Sequence, residues 1–139
     1  MIIGILTAIV VVIFGSVIWW NAPCSIINIK PKEVSKIEIF DGHTGKAYFI
    51  SEANNIEHII KNLNAVSLKK EKISLGYMGY SLRITIFKLN GNDYKKFIID
   101  SSVLIRKYPF FYRDSSESID YSYIRELIVK MPNENLPQD

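Results

Sequence analysis

Proton transfer near neutral pH and imidazole ligation of a metal both call for histidine, and this chain has two, His43 and His58. His43 stands two residues after Asp41, so the one constellation these residue types allow is Asp41, His43 and His58. It would require the Asp41–Gly45 stretch to fold onto the segment carrying His58, and no second His or Cys pair stands at ligand spacing. The single cysteine, Cys24, is distant in sequence from both histidines. No G-x-S-x-G elbow occurs, and no glycine-rich turn leads into a helix to cradle a phosphate. Asp100, Asp114 and Glu117 are carboxylates that could pair, as in any chain of this size. The residues therefore predict no catalytic site, no cofactor and no metal. A small hydrolase or metal-binding protein built on Asp41, His43 and His58 is the alternative.

Recognition chemistry is better represented. Gly76-Tyr77-Met78-Gly79-Tyr80 sets two tyrosines and a methionine between glycines. Tyr108-Pro109-Phe110-Phe111-Tyr112 is flanked by Arg106, Lys107 and Arg113. Tyr, Met and Arg are enriched in recognition surfaces. Tyr77, Met78, Tyr80, Arg106, Tyr108, Tyr112 and Arg113 are accordingly the candidate interaction surface, with the four tyrosines expected to be exposed and close together. The competing expectation is that Phe110, Phe111 and Tyr77 plug the core beneath long loops, because a small sheet needs aromatic bulk. The same basic-aromatic stretch also suits a membrane surface. Nucleic acid is not an expected partner. The net charge is +3, from 17 basic and 14 acidic residues, and the densest run, Lys69-Lys70-Glu71-Lys72, is broken by an acid and reads as a solvated loop.

Whatever these residues do, the first 20 residues dictate where. Met1 to Trp20 carries no charge, and about 20 apolar residues at 1.5 Å rise cross a hydrocarbon core of about 30 Å. Trp19 and Trp20 then fall where indoles prefer to lie, at the interface. A basic n-region is missing, Ala22-Pro23-Cys24 is a poor cleavage site, and Pro23 spoils a lipobox at Cys24. An uncleaved signal-anchor in membrane lipid is expected. Lys30 and Lys32 lean toward a cytoplasmic domain by the positive-inside rule, although they lie some ten residues beyond the span.

The remaining residues make one domain's worth of chain. Residues 21–33, with Pro23 and Pro31, read as a tether. From Val34 the pattern turns to period two: Ile37 and Ile39 against Lys36 and Glu38, a glycine-bearing turn at Asp41–Gly45, and a returning strand at Lys46–Ile50. Ile56, Ile59, Ile60 and Leu63 stripe a helix over Ser51–Asn64, capped by Ser51 or Asn54 and ended at Asn64. Val66 and Leu68 suggest a short strand. Ser81–Leu89 is the strongest strand, with Leu82, Ile84 and Ile86 inward and Arg83 and Thr85 outward. Asn90–Asp93 turns into Tyr94–Asp100, and Val103–Ile105 adds another strand. Ile124, Leu127, Ile128 and Met131 stripe a final helix capped by Asp120, and Asn133–Asp139 is a polar tail. The expected fold is α+β: a mainly antiparallel sheet of five to six strands, order ββαβ-βββ-α, with helices on one face and one transmembrane helix. The expected parts are an anchor over 1–20, a tether over 21–33, a domain over 34–131 and a flexible tail over 132–139.

The apolar N-terminal span, Ile37-Glu38-Ile39-Phe40-Asp41-Gly42-His43-Thr44-Gly45 and the helix bearing Ile56, Ile59, Ile60 and Leu63 together resemble a set of small membrane-anchored or lipoprotein-like proteins of low-GC Gram-positive bacteria, grouped as domains of unknown function. The resemblance covers the folded part and implies an extracytoplasmic domain with no catalytic residues. With the aromatic loops as the binding face and no catalytic motif, the expected function is a non-enzymatic protein- or peptide-interaction module at the bacterial cell envelope. A bacteriocin-type immunity protein is a further alternative, permitted by size and anchoring.

Overall fold

Alternating isoleucines build the sheet. In β1 (Val34–Asp41), Ile37 and Ile39 point to one face, and in β4 (Leu82–Lys88), Leu82, Ile84 and Ile86 do the same; all five are fully buried. The two strands pair antiparallel with Ile37 opposite Ile86 and Ile39 opposite Ile84, so one face becomes a continuous apolar floor. The computed structural model describes residues 2–131. It contains β2 (Lys46–Ile50), β3 (Leu68–Ile73), β5 (Asp93–Ile99), β6 (Leu104–Lys107) and β7 (Phe110–Asp114) besides β1 and β4. Its helices are α1 (Ile2–Asn21), α2 (Ala53–Ala65) and α3 (Tyr121–Lys130). The seven strands form one antiparallel sheet in the order β2-β1-β4-β5-β6-β7-β3.

The fold class is α+β with an antiparallel sheet, as the patterning implies, but with seven strands. The additional strand is β7, made from the aromatic run expected as a loop, and Lys69–Lys72 is strand too. Both runs satisfy their backbone groups in a ladder with each other.

The apolar stripes of α2 (Ile56, Ile59, Ile60, Leu63) and α3 (Ile124, Ile128) pack on the isoleucine floor. Asp120 caps α3, accepting from the Tyr123 amide. The α2 ends differ from expectation. Glu52 is the N-cap and its carboxylate accepts from the Asn55 side chain, while Asn54 lies inside the helix. Asn64 is also helical and spends its amide on both backbone groups of Ile29.

That bond belongs to a larger correction. Residues 21–33 are not a free tether, because Ile26, Ile27 and Ile29 are core residues. Cys24 exchanges two backbone hydrogen bonds with Leu68 at 2.8 and 2.9 Å, Tyr94 bonds both backbone groups of Asn28, and the Lys95 ammonium donates to the Ile26 carbonyl. Three isoleucines in four residues carry too much apolar surface to leave in water, at about 2 kcal/mol each. The expected tail over 132–139 lies outside the described residues. α1 is long and apolar enough to cross a membrane, with no part of its hydrophobic window buried.

Gly42 and Gly45 serve the β1–β2 turn in different ways. Gly45 alone takes a positive φ, 70°, whereas Gly42 admits the neighbouring chain. Its amide donates to the Ser81 carbonyl, and a Cβ there would collide with the Tyr80 carbonyl oxygen. Gly42→Ala is therefore expected to cost about 1–3 kcal/mol by forcing residues 80–81 off the turn. Gly45→Ala, facing open space, would cost only its φ strain. Urea unfolding of the two variants separates these effects, and equal midpoints would contradict the contact assigned to Gly42.

Candidate interaction surface

α2 and α3 cover one face of the sheet and leave the other open, and the open face holds the unusual chemistry. The chain must travel from the end of β3, at one sheet edge, to the start of β4 near the middle. Residues 74–81 make that crossing over β7, β6 and β5, on the open face. An arginine beneath the crossing holds it. Arg106, only 8% exposed, donates to the carbonyls of Tyr77 (3.2 Å) and Gly79 and faces the Asp100 carboxylate at 3.5 Å. Asp100 in turn accepts from the Ser81 amide. The Tyr77 ring stands edge-on to Phe111 with centroids 5.0 Å apart, and Lys72 lies over both rings.

The seven residues expected to share one surface are therefore divided. Tyr77, Met78 and Tyr108 are exposed and lie together at one end of the sheet, because the Ser74 amide bonds the Pro109 carbonyl and joins the crossing to the β6–β7 turn. Tyr80 is half-buried toward the opposite end, tilted on Phe40 with Arg83 over both rings. Arg106 is a buried strut at the wall of a cleft, its guanidinium engaged by the crossing and by Asp100. Tyr112 faces the helix-covered side opposite Ile105, where burial and then the neighbouring Cys24 push its phenol up. Arg113 turns to the sheet edge and forms an ion pair with Glu71 at 2.6 Å. The four tyrosines do not make one exposed face, since strand alternation sends Phe111 and Tyr112 to opposite sides.

Between the crossing and the sheet lies a cleft of about 280 Å³. The cations of Arg83, Lys96 and Arg106 line it, with Tyr77, Tyr108 and Ser74 at the rim, whereas Lys107 contributes its strand and turns its ammonium to the helix-covered side, beside Lys95. Farther across the same face, Lys36 rests between Phe49 and Phe87. Arg83 and Lys96 were absent from the expected surface, although the alternation that turns Leu82, Ile84 and Ile86 inward turns Arg83 outward. Burial, and then the adjacent Lys95 ammonium, hold the Lys107 ammonium below the usual lysine range.

The residues capable of acid–base chemistry lie elsewhere and are already engaged. His58 Nε2 is 2.7 Å from the Asp120 carboxylate, and its ring stacks on Tyr123, whose hydroxyl donates to Asn55. This clasp ties α2 to the start of α3. His43 sits at the β1–β2 turn, 3.5 Å from Asp41, which also pairs with Arg125 at 3.1 Å. Burial works to raise the Asp41 carboxyl, but the His43 amide, the Arg125 guanidinium and the Thr44 hydroxyl outweigh it and hold the carboxyl below its ordinary range. Asp41, His43 and His58 do not form one constellation, and among the described residues no three His, Cys, Asp or Glu side chains group as a metal site. No family model, curated protein or solved structure matches this chain, so its function has to be read from its own geometry.

Proposed function

We propose that this chain is a membrane-anchored, non-enzymatic interaction module of the bacterial cell envelope, with α1 in the bilayer and the domain on the outer side. Its cleft takes a carboxylate-bearing segment of a protein partner. The observation that carries the reading is the charge of that cleft: among the described residues the side chains of Arg83, Lys96 and Arg106 line it and no acid does, on the sheet face that the protein's own helices leave free. Arg106 and the crossing pre-form the cleft, so binding costs little ordering. The two histidines lie apart, each beside a different aspartate, so they form no shared acid–base centre, which favours recognition over catalysis. The outer location follows the resemblance to envelope proteins.

Full-length protein in nanodiscs, titrated with a Glu/Asp-rich peptide and with a Lys-rich peptide of equal aromatic content, tests the binding. Only the acidic peptide should shift the Ser74 and Tyr77 amide resonances, and Lys96→Glu, at an exposed position, should weaken the shift while leaving the unfolding midpoint unchanged. Equal response to both peptides would remove the assignment. The side of the membrane is read separately. Cys24 is half-buried and poorly placed as a reporter, so an exposed Ser115→Cys in a Cys24→Ser background serves instead. Reaction with an impermeant maleimide on intact cells is expected; labelling only after lysis would put the domain inside.

A further inference from the structure

The exposed apolar side chains of the domain concentrate next to the exit of α1. Ile73 is 52% exposed, Leu75 57%, Tyr77 54%, Tyr108 75% and Met78 95%. These residues belong to two segments that make one rim: Ser74, between Ile73 and Leu75, donates its amide to the Pro109 carbonyl at 2.8 Å. An apolar rim of this kind on a soluble surface would be an aggregation liability.

Its height relative to a bilayer follows from contacts with α1. Trp19 and Trp20 both pack edge-on to Phe110, with centroids 6.0 and 5.7 Å apart. Lys70 lies 4.0 Å from the Trp19 ring centroid and donates to the Trp19 carbonyl. Phe110 is the register partner of Ile73 and directly follows the Tyr108–Pro109 turn. Neighbouring strands lie about 4.8 Å apart, so Ile73 stands one strand spacing, and Tyr108 two residues, from the phenylalanine on which both indoles pack. Indoles at the end of a membrane span sit at the headgroup level. Lys70 and Lys72, on the strand that leads into the rim, add positive charge suited to anionic headgroups.

We infer that the rim formed by Ile73, Leu75, Met78 and Tyr108 is a second membrane contact, which dips into the headgroup layer of the bilayer that holds α1. The domain is then fixed at two points rather than hanging from a helix. The cleft, whose rim includes Tyr77 and Tyr108, is held beside the membrane surface and meets partners there. This inference rests on the reading of α1 as a membrane anchor.

The test uses full-length protein in phosphatidylglycerol/phosphatidylcholine vesicles, with an environment-sensitive fluorophore on one cysteine at a time in a Cys24→Ser background. Met78→Cys and Tyr108→Cys report the rim, Ser115→Cys the opposite end of the sheet, and Val10→Cys the anchor. Phospholipids carrying a quencher high on the acyl chain should quench Met78→Cys and Tyr108→Cys several-fold more than Ser115→Cys. Their emission should also be blue-shifted. Deep quenching at Val10→Cys with none at Met78→Cys and Tyr108→Cys would overturn the rim contact and leave the anchor standing. No quenching at Val10→Cys would remove both. Met78 and Tyr108 are exposed, so their substitution leaves the core intact, which thermal unfolding of each labelled protein verifies.

Discussion

Arg106→Ala should lower the stability of the domain by on the order of 3 kcal/mol and release residues 75–80 from the sheet. The guanidinium is buried and bridges two carbonyls of the crossing to Asp100 on the β5–β6 connection. Truncation strands Asp100 without its cation and leaves the Tyr77 and Gly79 carbonyls without a donor. Arg106→Lys should recover less than half of the loss, because one ammonium cannot reproduce a planar fork that reaches two carbonyls and a carboxylate. Urea unfolding gives the magnitude, and amide exchange at residues 75–80 locates it. Unchanged exchange in that stretch for Arg106→Ala would mean that the crossing is held by Tyr77 on Phe111 and not by the strut. Because Arg106 also lines the cleft, the variant should lose affinity for acidic peptide as well. Lys96→Gln, at an exposed position of the face, should lose affinity without loss of stability.

The second large effect is expected at Asp114, whose carboxylate is almost fully buried and accepts from the amides and hydroxyls of both Ser116 and Ser118 at 2.6–3.0 Å. Burial works to raise its pKa, but the four donors outweigh burial and bring the carboxyl down from 3.8 to about 2. A carboxyl depressed in the folded state adds stability that is fully present above its unfolded pKa. That stability is lost as the pH falls through the folded value. Stability should therefore drop between about pH 4 and pH 2 by roughly 2 kcal/mol from this group. Asp41, also depressed, adds to the loss in the same direction. Asp114→Asn, which retains one acceptor oxygen, should be destabilised at pH 7 and show a shallower decline over that window. The same acid slope in Asp114→Asn as in the parent protein would assign the decline to other groups.

Much of the fold was legible because its elements are strongly patterned. Ile37 and Ile39 in β1, Leu82, Ile84 and Ile86 in β4, and Ile56, Ile59, Ile60 and Leu63 in α2 repeat with the periods of strand and helix, and all of them are buried. The Asp120 cap and the absence of charge from the first 20 residues were equally plain. The surface was less legible. Phe110-Phe111-Tyr112-Arg113-Asp114 has the residue types of a strand, but also the aromatic and basic character of a recognition loop, and nothing local decides between them. Pairing with β6 and β3 decides it, and it splits Phe111 from Tyr112.

Composition and periodicity by themselves determine an apolar N-terminal helix, an antiparallel α+β domain and a buried isoleucine floor, because hydrophobic burial with period 2 or 3.6 is a local property of the chain. Only the tertiary structure decided that residues 24–29 join the core, that β3 sits at the far edge beside β7, and that Arg106 is a strut. It likewise gathered Arg83, Lys96 and Arg106 into one cleft. Those arrangements depend on which distant strands pair and on the path of one eight-residue crossing, residues 74–81. They are long-range choices that no local pattern encodes.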